Sequence, residues 1–395
     1  MSQNQGYGVF EDDRPSKTPF IVLAVLALLV VVGLAGFVYA VGGPGAQERS
    51  MADGAAQAES SDQDSSANGA AQTNTAATPT TVPLEDGRIV MTLHGSKDTY
   101  VKTGESYIES GVHVLDVKEG DLTSSVTTSG SVDTSKPGDY TVTYTVRNAA
   151  GMEDSIERTV HVTDDMAWDS DGISVLMYHY VYTDDDQPDE VNSNYINQKT
   201  LEEQLKWLTD NGYYYPSWFE LRAYIDGTHS LPAKSVVLTF DDGQYGFLDY
   251  GIPLLEKYKV PATAFLIGDN DNTEEIIHEK ASPYIDFQNH SYAMHTGGST
   301  AIGHGGRIYD LTAEQITADL QKLSDMLGTN EAFAYPYGDV SDAAPGAVKD
   351  AGLLCAFTTA YDQVHVGDNP YTLPRIRIFG ESPLDSFVYQ VQTGA

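Results

Sequence analysis

The chain has 395 residues with 57 acidic and 22 basic side chains, giving a formal net charge of −35. This charge argues against nucleic acid or an anionic lipid surface as partner, because both are bound through basic patches. The length exceeds that of one ordinary domain, so two folded units joined by linkers are expected. The single cysteine, Cys355, excludes an intrachain disulfide, and its apolar neighbours indicate a buried small hydrophobe.

An apolar segment near the N-terminus indicates the compartment. Phe20 to Ala40 contains no charged residue, and about 20 apolar residues in a helix suffice to cross a bilayer core. Arg14 and Lys17 precede this segment and favour an N-terminus in the cytoplasm. The pattern predicts a single transmembrane anchor over 19–41, with the rest of the chain outside the cell at the cell membrane.

The flanks of this segment are predicted to be unfolded. Residues 1–18 would form a cytoplasmic tail, and residues 42–86 are rich in Ala, Ser, Gly, Gln and Thr, which is typical of a disordered linker. A cleaved signal peptide is the alternative to an anchor, because Val38-Tyr39-Ala40 loosely fits a small-residue cleavage site. Both interpretations export the C-terminal part.

The next region has the pattern of a small β domain. The run Tyr140–Val146 alternates aromatic or β-branched residues with threonines, which predicts a half-buried strand. Lys136-Pro137-Gly138-Asp139 before it is a turn signal, and Ile156 to Val162 is predicted as the next strand. Short strands separated by turns predict a β-sandwich over residues 87–164.

From about residue 172 the pattern changes to alternating strands and helices. Thr312 and Gln315 form a capping box that predicts a helix start. Helices are also predicted over 200–211 and about 247–258. The predicted strands are Ser174–Tyr178, Val236–Phe240, Pro261–Gly268, Phe333–Tyr337, Leu354–Thr358 and Leu373–Ile378. Repeated strand–helix units predict an α/β domain over 172–395, with a parallel sheet or barrel and an active site at the C-terminal strand ends.

Polar clusters follow several of these strands. Asp241 and Asp242 end the strand before Gly243, and His290 and His295 follow a later one. One carboxylate with two imidazoles is the ligand set of open catalytic metal sites. Taken singly, each cluster also fits an ordinary Asp-Gly turn or unrelated histidines.

Two further clusters carry candidate residues. Tyr335-Pro336-Tyr337-Gly338 also fits an ordinary turn, and His179 at the end of the first strand also fits a structural histidine.

The order of these clusters resembles that of the polysaccharide deacetylase family, also called the NodB-homology or carbohydrate esterase family 4 group. The resemblance covers roughly 172–380 and is most specific from Leu231 to Phe265, with His290 to His295 and Pro336-Tyr337-Gly338 as further motifs. Leu176-Met177-Tyr178-His179 makes the chain most like the branch that deacetylates poly-β-1,6-N-acetylglucosamine. Residues 87–164 resemble bacterial immunoglobulin-like modules of surface proteins.

This resemblance implies a distorted (β/α) barrel and assigns a role to each matching residue. It implies that a divalent metal, with zinc as the expected ion, is bound by Asp242, His290 and His295. It also implies that the catalytic residues are Asp241 as the general base, His179 as the general acid, and Tyr337, whose backbone N–H contributes to the oxyanion site.

The sequence departs from the family pattern at one position that matters for the base. The arginine that usually braces it is replaced by Ala334, and Arg375 or Arg377 is a candidate substitute. His365 is an alternative to His179 as the acid, and His304 is either a substrate-loop residue or a solvated histidine.

The resulting functional hypothesis is an extracellular metal-dependent hydrolase that removes N-acetyl groups from a β-linked N-acetylglucosamine polymer. The expected partners are this polysaccharide and, through the single N-terminal helix, the membrane; nucleic acid is not expected. An O-acetyl esterase acting on a xylan-like polymer and a non-catalytic glycan-binding surface protein are the alternatives.

Overall fold

The computed structural model describes residues 88–395. The predicted tail, membrane anchor and linker over 1–86 lie outside the described residues and stay predictions. Within 88–395, no helix combines the length and apolarity that a membrane crossing needs. This part of the chain falls in one compact unit, in which an all-β region is followed by an α/β region.

The all-β region contains two small sheets. They have the strand orders β1-β3-β4 and β2-β7-β6-β5. The strands are β1 (Ile89–Leu93), β2 (Asp98–Val101), β3 (Val112–Asp116), β4 (Gly120–Asp121), β5 (Thr127–Ser129), β6 (Gly138–Arg147) and β7 (Glu153–Val162).

The alternation predicted for β6 places one of its faces in the core of this region. Val142, Tyr144 and Val146 are buried, whereas the threonines between them are more exposed. A period of two sends successive side chains to opposite faces of a sheet, which explains this division. The half-buried strand predicted for this run is therefore confirmed.

The α/β region contains a seven-stranded parallel sheet with the order β15-β14-β13-β12-β11-β8-β16. Its strands are β8 (Ser174–Tyr178), β11 (Val236–Asp241), β12 (Ala262–Leu266), β13 (Ile285–Asn289), β14 (Ala332–Ala334), β15 (Cys355–Phe357) and β16 (Ile376–Arg377). A separate two-stranded sheet contains β9 (Tyr180–Tyr182) and β10 (Tyr195–Asn197). The α-helices are α1 (Gln198–Asp210), α2 (Trp218–Ile225), α3 (Ile252–Tyr258), α4 (Thr273–Glu279), α5 (Ala313–Leu327), α6 (Ala344–Asp350) and α7 (Leu384–Thr393).

The two outer strands of this sheet approach each other. Phe357 at the end of β15 forms a parallel bridge with Leu373, three residues before β16. The Leu373 N–H donates to the Ala356 carbonyl, and the Thr358 N–H donates to the Leu373 carbonyl. The sheet is therefore curled into the distorted (β/α) barrel that the resemblance implied.

Local sequence signals explain how individual elements begin and end. At the start of α5, the Thr312 hydroxyl accepts from the Gln315 N–H and the Gln315 side chain accepts from the Thr312 N–H, as the capping box predicts. The strand predicted over 333–337 stops at Ala334, and a one-turn 3-10 helix, Pro336–Gly338, follows it. Pro336 has no N–H to continue a strand ladder, which favours this early end.

The buried cysteine has no chemical role in this fold. Cys355 is fully buried in β15, and burial raises the pKa of its thiol to about 12. A thiol with so high a pKa is a poor nucleophile. The interpretation of Cys355 as a small core residue agrees with this environment.

The immunoglobulin-like region packs against the α/β region near the amino ends of the barrel strands. The Thr92 hydroxyl donates to the Ser282 carbonyl at 2.9 Å, just before β13. The Ser96 N–H donates to the Tyr215 carbonyl at 2.8 Å. The carboxyl ends of the strands, which carry the predicted catalytic residues, form the opposite rim.

Candidate active site

A cavity of about 270 Å³ lies at the carboxyl ends of the barrel strands. It brings together the six residues that were assigned a metal-binding or catalytic role from the sequence, although they lie on four separate segments of the chain. The predicted residues in its wall are His179, Asp241, Asp242, His290, His295 and Tyr337, and the wall also contains Tyr180, Asn194, His304, Tyr335, Gly338, Thr359 and Arg377.

Asp242 and the two predicted histidines form a compact cluster. Asp242 Oδ1 lies 3.3 Å from Nε2 of His290 and 3.2 Å from Nε2 of His295. One ligand atom from each residue lies within 4.8 Å of the others. The spacing suits three ligands of a single cation that leaves further positions open.

Neighbouring groups orient the members of this cluster. The Nδ1–H of His290 donates to the Ala334 carbonyl at 2.7 Å, which leaves the Nε2 lone pair facing Asp242. The Tyr180 hydroxyl donates to Asp242 Oδ2 at 2.8 Å. Asp242 Oδ1 is buried and has no hydrogen-bond partner. A buried carboxylate oxygen without a partner is costly, and a divalent cation between it and the two imidazoles would satisfy it.

The electrostatics of Asp242 agree with a ligand role. Burial alone would raise the pKa of its carboxyl group, but His290 and His295 outweigh burial and lower that pKa far below its usual range. The carboxylate is therefore charged at any physiological pH, as a metal ligand must be.

Asp241 is held by a buried arginine. Arg375 Nη1 and Nη2 donate to its two carboxylate oxygens at 2.7 and 2.8 Å, and both residues are almost completely buried. Burial would raise the pKa of Asp241, but the Arg375 guanidinium lowers it below the usual value. The bidentate pair fixes the orientation of the carboxylate and keeps it ionised, as a general base requires.

The structure distinguishes between the two candidate bracing arginines. Arg375 contacts Asp241, whereas Arg377 Nη1 donates to the Asn194 side chain at 2.5 Å in the cavity wall. Ala334, at the position where the family usually has arginine, instead contributes its carbonyl to His290. The guanidinium beside the base therefore reaches it from the segment preceding β16.

The two candidate general acids lie at opposite ends of the barrel. His179 Nε2 is 3.9 Å from Asp241 Oδ2, and burial lowers the pKa of the imidazole. His365 lies beside Gly172, which precedes β8, and its Nε2 is 3.7 Å from Asp362. Because β8 separates Gly172 from His179, only His179 is placed to reach the cavity.

Three strand ends around the cavity have unusual backbone conformations. Asp242, Ser291 and Tyr337 have φ of 75°, 72° and 61°, and Lys259 is the only other non-glycine residue with positive φ in the described range. Such conformations cost on the order of 1–3 kcal/mol and cluster at functional sites. They turn the chain sharply where Asp242, His290 and Tyr337 enter the cavity.

Two residues of the site were missed from the sequence. Asp339 is buried and accepts hydrogen bonds from the backbone N–H groups of His304 and Gly306 at 2.9 and 2.8 Å. It thereby holds His304, whose side chain is 67% exposed, at the edge of the cavity. Tyr180, which supports Asp242, was the other. Tyr180 directly follows the motif that ends at His179, and Asp339 directly follows the motif that ends at Gly338. These positions are the only signal that the sequence offered.

Comparisons with known proteins match two regions of the chain to families. Residues 228–356 match the family model for polysaccharide deacetylases, and residues 91–162 match that for the Ig-like domain of bacterial surface proteins. The chain therefore carries a polysaccharide deacetylase domain preceded by a bacterial immunoglobulin-like domain.

Relatives with established names lie in one branch of these enzymes. The chain is 27% identical over 205 residues to the poly-beta-1,6-N-acetyl-D-glucosamine N-deacetylase of Staphylococcus aureus (strain MRSA252), covering 48% of this chain and 69% of that protein. The Staphylococcus epidermidis protein of the same name is 25% identical over 209 residues, covering 49% and 71%.

Two solved structures are similar to part of this chain. IcaB from Ammonifex degensii has a TM-score of 0.46 at 26% identity, covering 57% of this chain and 99% of that one. The Streptococcus pyogenes deacetylase PplD, solved in complex with acetate, has a TM-score of 0.48 at 22% identity, covering 56% and 98%.

Proposed function

We propose that this protein is a metal-dependent hydrolase that removes N-acetyl groups from a β-linked N-acetylglucosamine polymer. The observation that carries the proposal is the cluster of Asp242, His290 and His295 directly beside the Asp241–Arg375 pair. A metal-ligand set next to an ionised, oriented carboxylate is what hydrolysis of an amide by water needs. The names of the relatives favour N-acetylglucosamine polymers as the substrate class.

Asp242, His290 and His295 would hold the divalent cation, for which their mixed nitrogen and oxygen donors favour zinc. Such an ion supplies Lewis acidity, lowering the pKa of water and polarising the acetyl carbonyl. The described part of the chain contains one other group of this kind, between the two domains.

The surrounding protein groups would transfer the protons and stabilise the charge that the reaction develops. Asp241, held by Arg375, takes a proton from the attacking water. The backbone N–H of Tyr337 would stabilise the negative charge that develops on the acetyl oxygen. His179, whose Nε2 lies 3.9 Å from Asp241 Oδ2, would protonate the departing amine. The wall of the cavity between these groups is the proposed position of the acetamido group.

Mass spectrometry of β-1,6-linked N-acetylglucosamine oligomers after incubation with the zinc-loaded protein tests the proposed activity. The expected product has lost acetyl groups one at a time, while an acetylated xylan oligomer in the same buffer stays unchanged. Deacetylation of the xylan oligomer alone would instead support an O-acetyl esterase. No change in either oligomer, with metal bound, would favour the non-catalytic alternative.

We also propose that the α/β domain acts outside the cell, attached through the apolar segment 20–40. The support is the length of that segment and the basic residues before it, which favour a cytoplasmic N-terminus. Protease added to intact cells is expected to release a fragment that contains the deacetylase domain, while a cytoplasmic marker protein stays intact. A domain that stays protected until the cells are lysed would contradict the proposed orientation.

A further inference from the structure

A second group of potential metal ligands lies between the two domains. His94 follows β1 of the immunoglobulin-like domain, Asp286 lies in β13, and Glu331 directly precedes β14. One ligand atom from each of these residues lies within 4.8 Å of the others. His94 Nδ1 is 3.4 Å from Asp286 Oδ2.

The hydrogen bonds of this group are incomplete. His94 is only 6% exposed, yet its Nδ1 has no hydrogen-bond partner, and neither has the buried Oδ1 of Asp286. The Gln288 amide donates to both carboxylates, to Asp286 Oδ2 at 3.0 Å and to Glu331 Oε2. One neutral amide thus lies between two acidic groups that would repel each other when ionised. Unpartnered buried polar atoms are rare and costly, so this arrangement indicates a missing partner.

We propose that His94, Asp286 and Glu331 bind a second divalent cation, which joins the two domains. Zinc accepts imidazole nitrogen together with carboxylate oxygen, and two carboxylates balance its charge. Ligands of a tetrahedral zinc ion lie about 3.4 Å apart, which follows from zinc–ligand distances of about 2.0–2.2 Å. The observed separation of His94 Nδ1 and Asp286 Oδ2 equals this value.

Two further side chains neighbour the cluster without belonging to it. His113 Nε2, on β3 of the immunoglobulin-like domain, lies 3.9 Å from Asp121 and is not among the ligand atoms that lie within 4.8 Å of one another. The Arg158 guanidinium donates to the His94 carbonyl at 2.9 Å, so one positive charge already lies beside the cluster and its two carboxylates. Water would complete the coordination of the ion.

The location of the cluster indicates a structural role. Asp286 lies near the start of β13 and His290 directly follows its end, so the two metal groups lie at opposite ends of one strand. At about 3.3 Å per residue, roughly 13 Å separates these positions along the strand. An ion bound by His94, Asp286 and Glu331 would be too far from the proposed catalytic group to take part in deacetylation. It would instead stabilise the contact between the domains.

A shared proton is the competing explanation for the same geometry. Burial raises the pKa of the Glu331 carboxyl group. For His94, burial lowers the pKa of the imidazole, but the neighbouring Asp286 carboxylate outweighs burial and raises that pKa. A proton on either residue would relieve the repulsion without any metal. The two explanations differ in the number of ions bound, which can be measured without reference to enzymatic activity.

The test is the zinc content of the purified full-length chain after equilibration with Zn²⁺ and removal of free ions. The wild-type chain is expected to retain two zinc ions. The His290→Ala, His295→Ala double variant is expected to retain one, because only the proposed catalytic group is lost. Adding Glu331→Gln to that double variant should remove the remaining ion, whereas adding Thr92→Val, which removes an interdomain hydrogen bond but no ligand, should not.

Thermal unfolding provides a second measurement on the same proteins. A chelator should lower the melting temperature of the double variant and zinc should restore it, with no such response once Glu331→Gln is added. If the double variant retains no zinc and melts at the same temperature with and without it, the second site is disproved and the shared proton is favoured. This result would hold even if the triple variant failed to fold. Because no step measures deacetylation, the outcome is independent of the proposed activity.

Discussion

Asp241→Asn is expected to lower the deacetylation rate by about 10²–10⁴-fold, the usual contribution of general acid–base catalysis. The substitution keeps the shape of the side chain but removes the carboxylate that would accept the proton of water. Asp242, His290 and His295 are unchanged, so zinc content should equal that of the wild-type chain. Rate and metal content measured on the same preparation check both parts of this prediction.

The stability of this variant must be measured as well. Arg375 is completely buried and donates to both oxygens of Asp241, so Asn leaves its charge without a counter-ion. Breaking a buried ion pair from one side typically costs about 3–5 kcal/mol of folding free energy. Urea denaturation would show whether enough folded protein remains at the assay temperature to interpret the rate.

A matched comparison separates the base from the metal ligands. His290→Ala removes a proposed ligand and should lose the zinc ion of the Asp242, His290 and His295 group together with activity. If Asp241→Asn also loses its zinc, Asp241 belongs to the ligand set and is not the base. If His290→Ala keeps as much zinc as the wild-type chain, the assignment of His290 as a ligand is wrong.

His179→Ala is expected to slow deacetylation of an N-acetyl substrate by a similar factor of about 10²–10⁴, or about 3–5 kcal/mol of transition-state stabilisation at ~1.4 kcal/mol per decade. An amine is a poor leaving group unless it is protonated. Burial lowers the pKa of His179, which reduces the protonated fraction at neutral pH but makes that form a stronger acid. Steady-state kinetics on an N-acetylglucosamine oligomer measure the loss.

An activated aryl acetate distinguishes a lost acid from a damaged site. Its leaving group departs without a proton, so His179→Ala should hydrolyse it at close to the wild-type rate. His365→Ala is the matched histidine control, since His365 lies near the amino end of β8, beside Gly172, and should leave both rates unchanged. A selective loss on the amide in His365→Ala, without one in His179→Ala, would reverse the assignment of the acid.

Much of the barrel could be predicted because its signals are local. The apolar run before Asp241 and the capping box of Thr312 and Gln315 depend on residues next to each other in the chain, and both elements form as predicted. The ends of short strands were less predictable. The strand expected over 373–378 is reduced to Ile376–Arg377, because pairing with β8 is confined to those residues.

Local sequence patterns are enough to indicate the kind of chemistry. Asp241, Asp242, His290 and His295 follow apolar strands, and the carboxyl ends of parallel strands meet at one rim, so their proximity follows from the strand–helix pattern. The resemblance to polysaccharide deacetylases assigned their roles. Neither needs knowledge of how the barrel is closed.

Which arginine supports the base, and which histidine can act as the acid, depends on how distant segments of the chain pack together. Arg375 and Arg377 are two residues apart, about 6.6 Å along a strand, so which of them reaches Asp241 depends on how the last segment lies against β8. The group of His94, Asp286 and Glu331 depends in the same way on packing between domains, since its members are far apart in sequence. Local patterns determine elements and their ends, whereas contacts between distant segments are fixed by packing that no short stretch of sequence encodes.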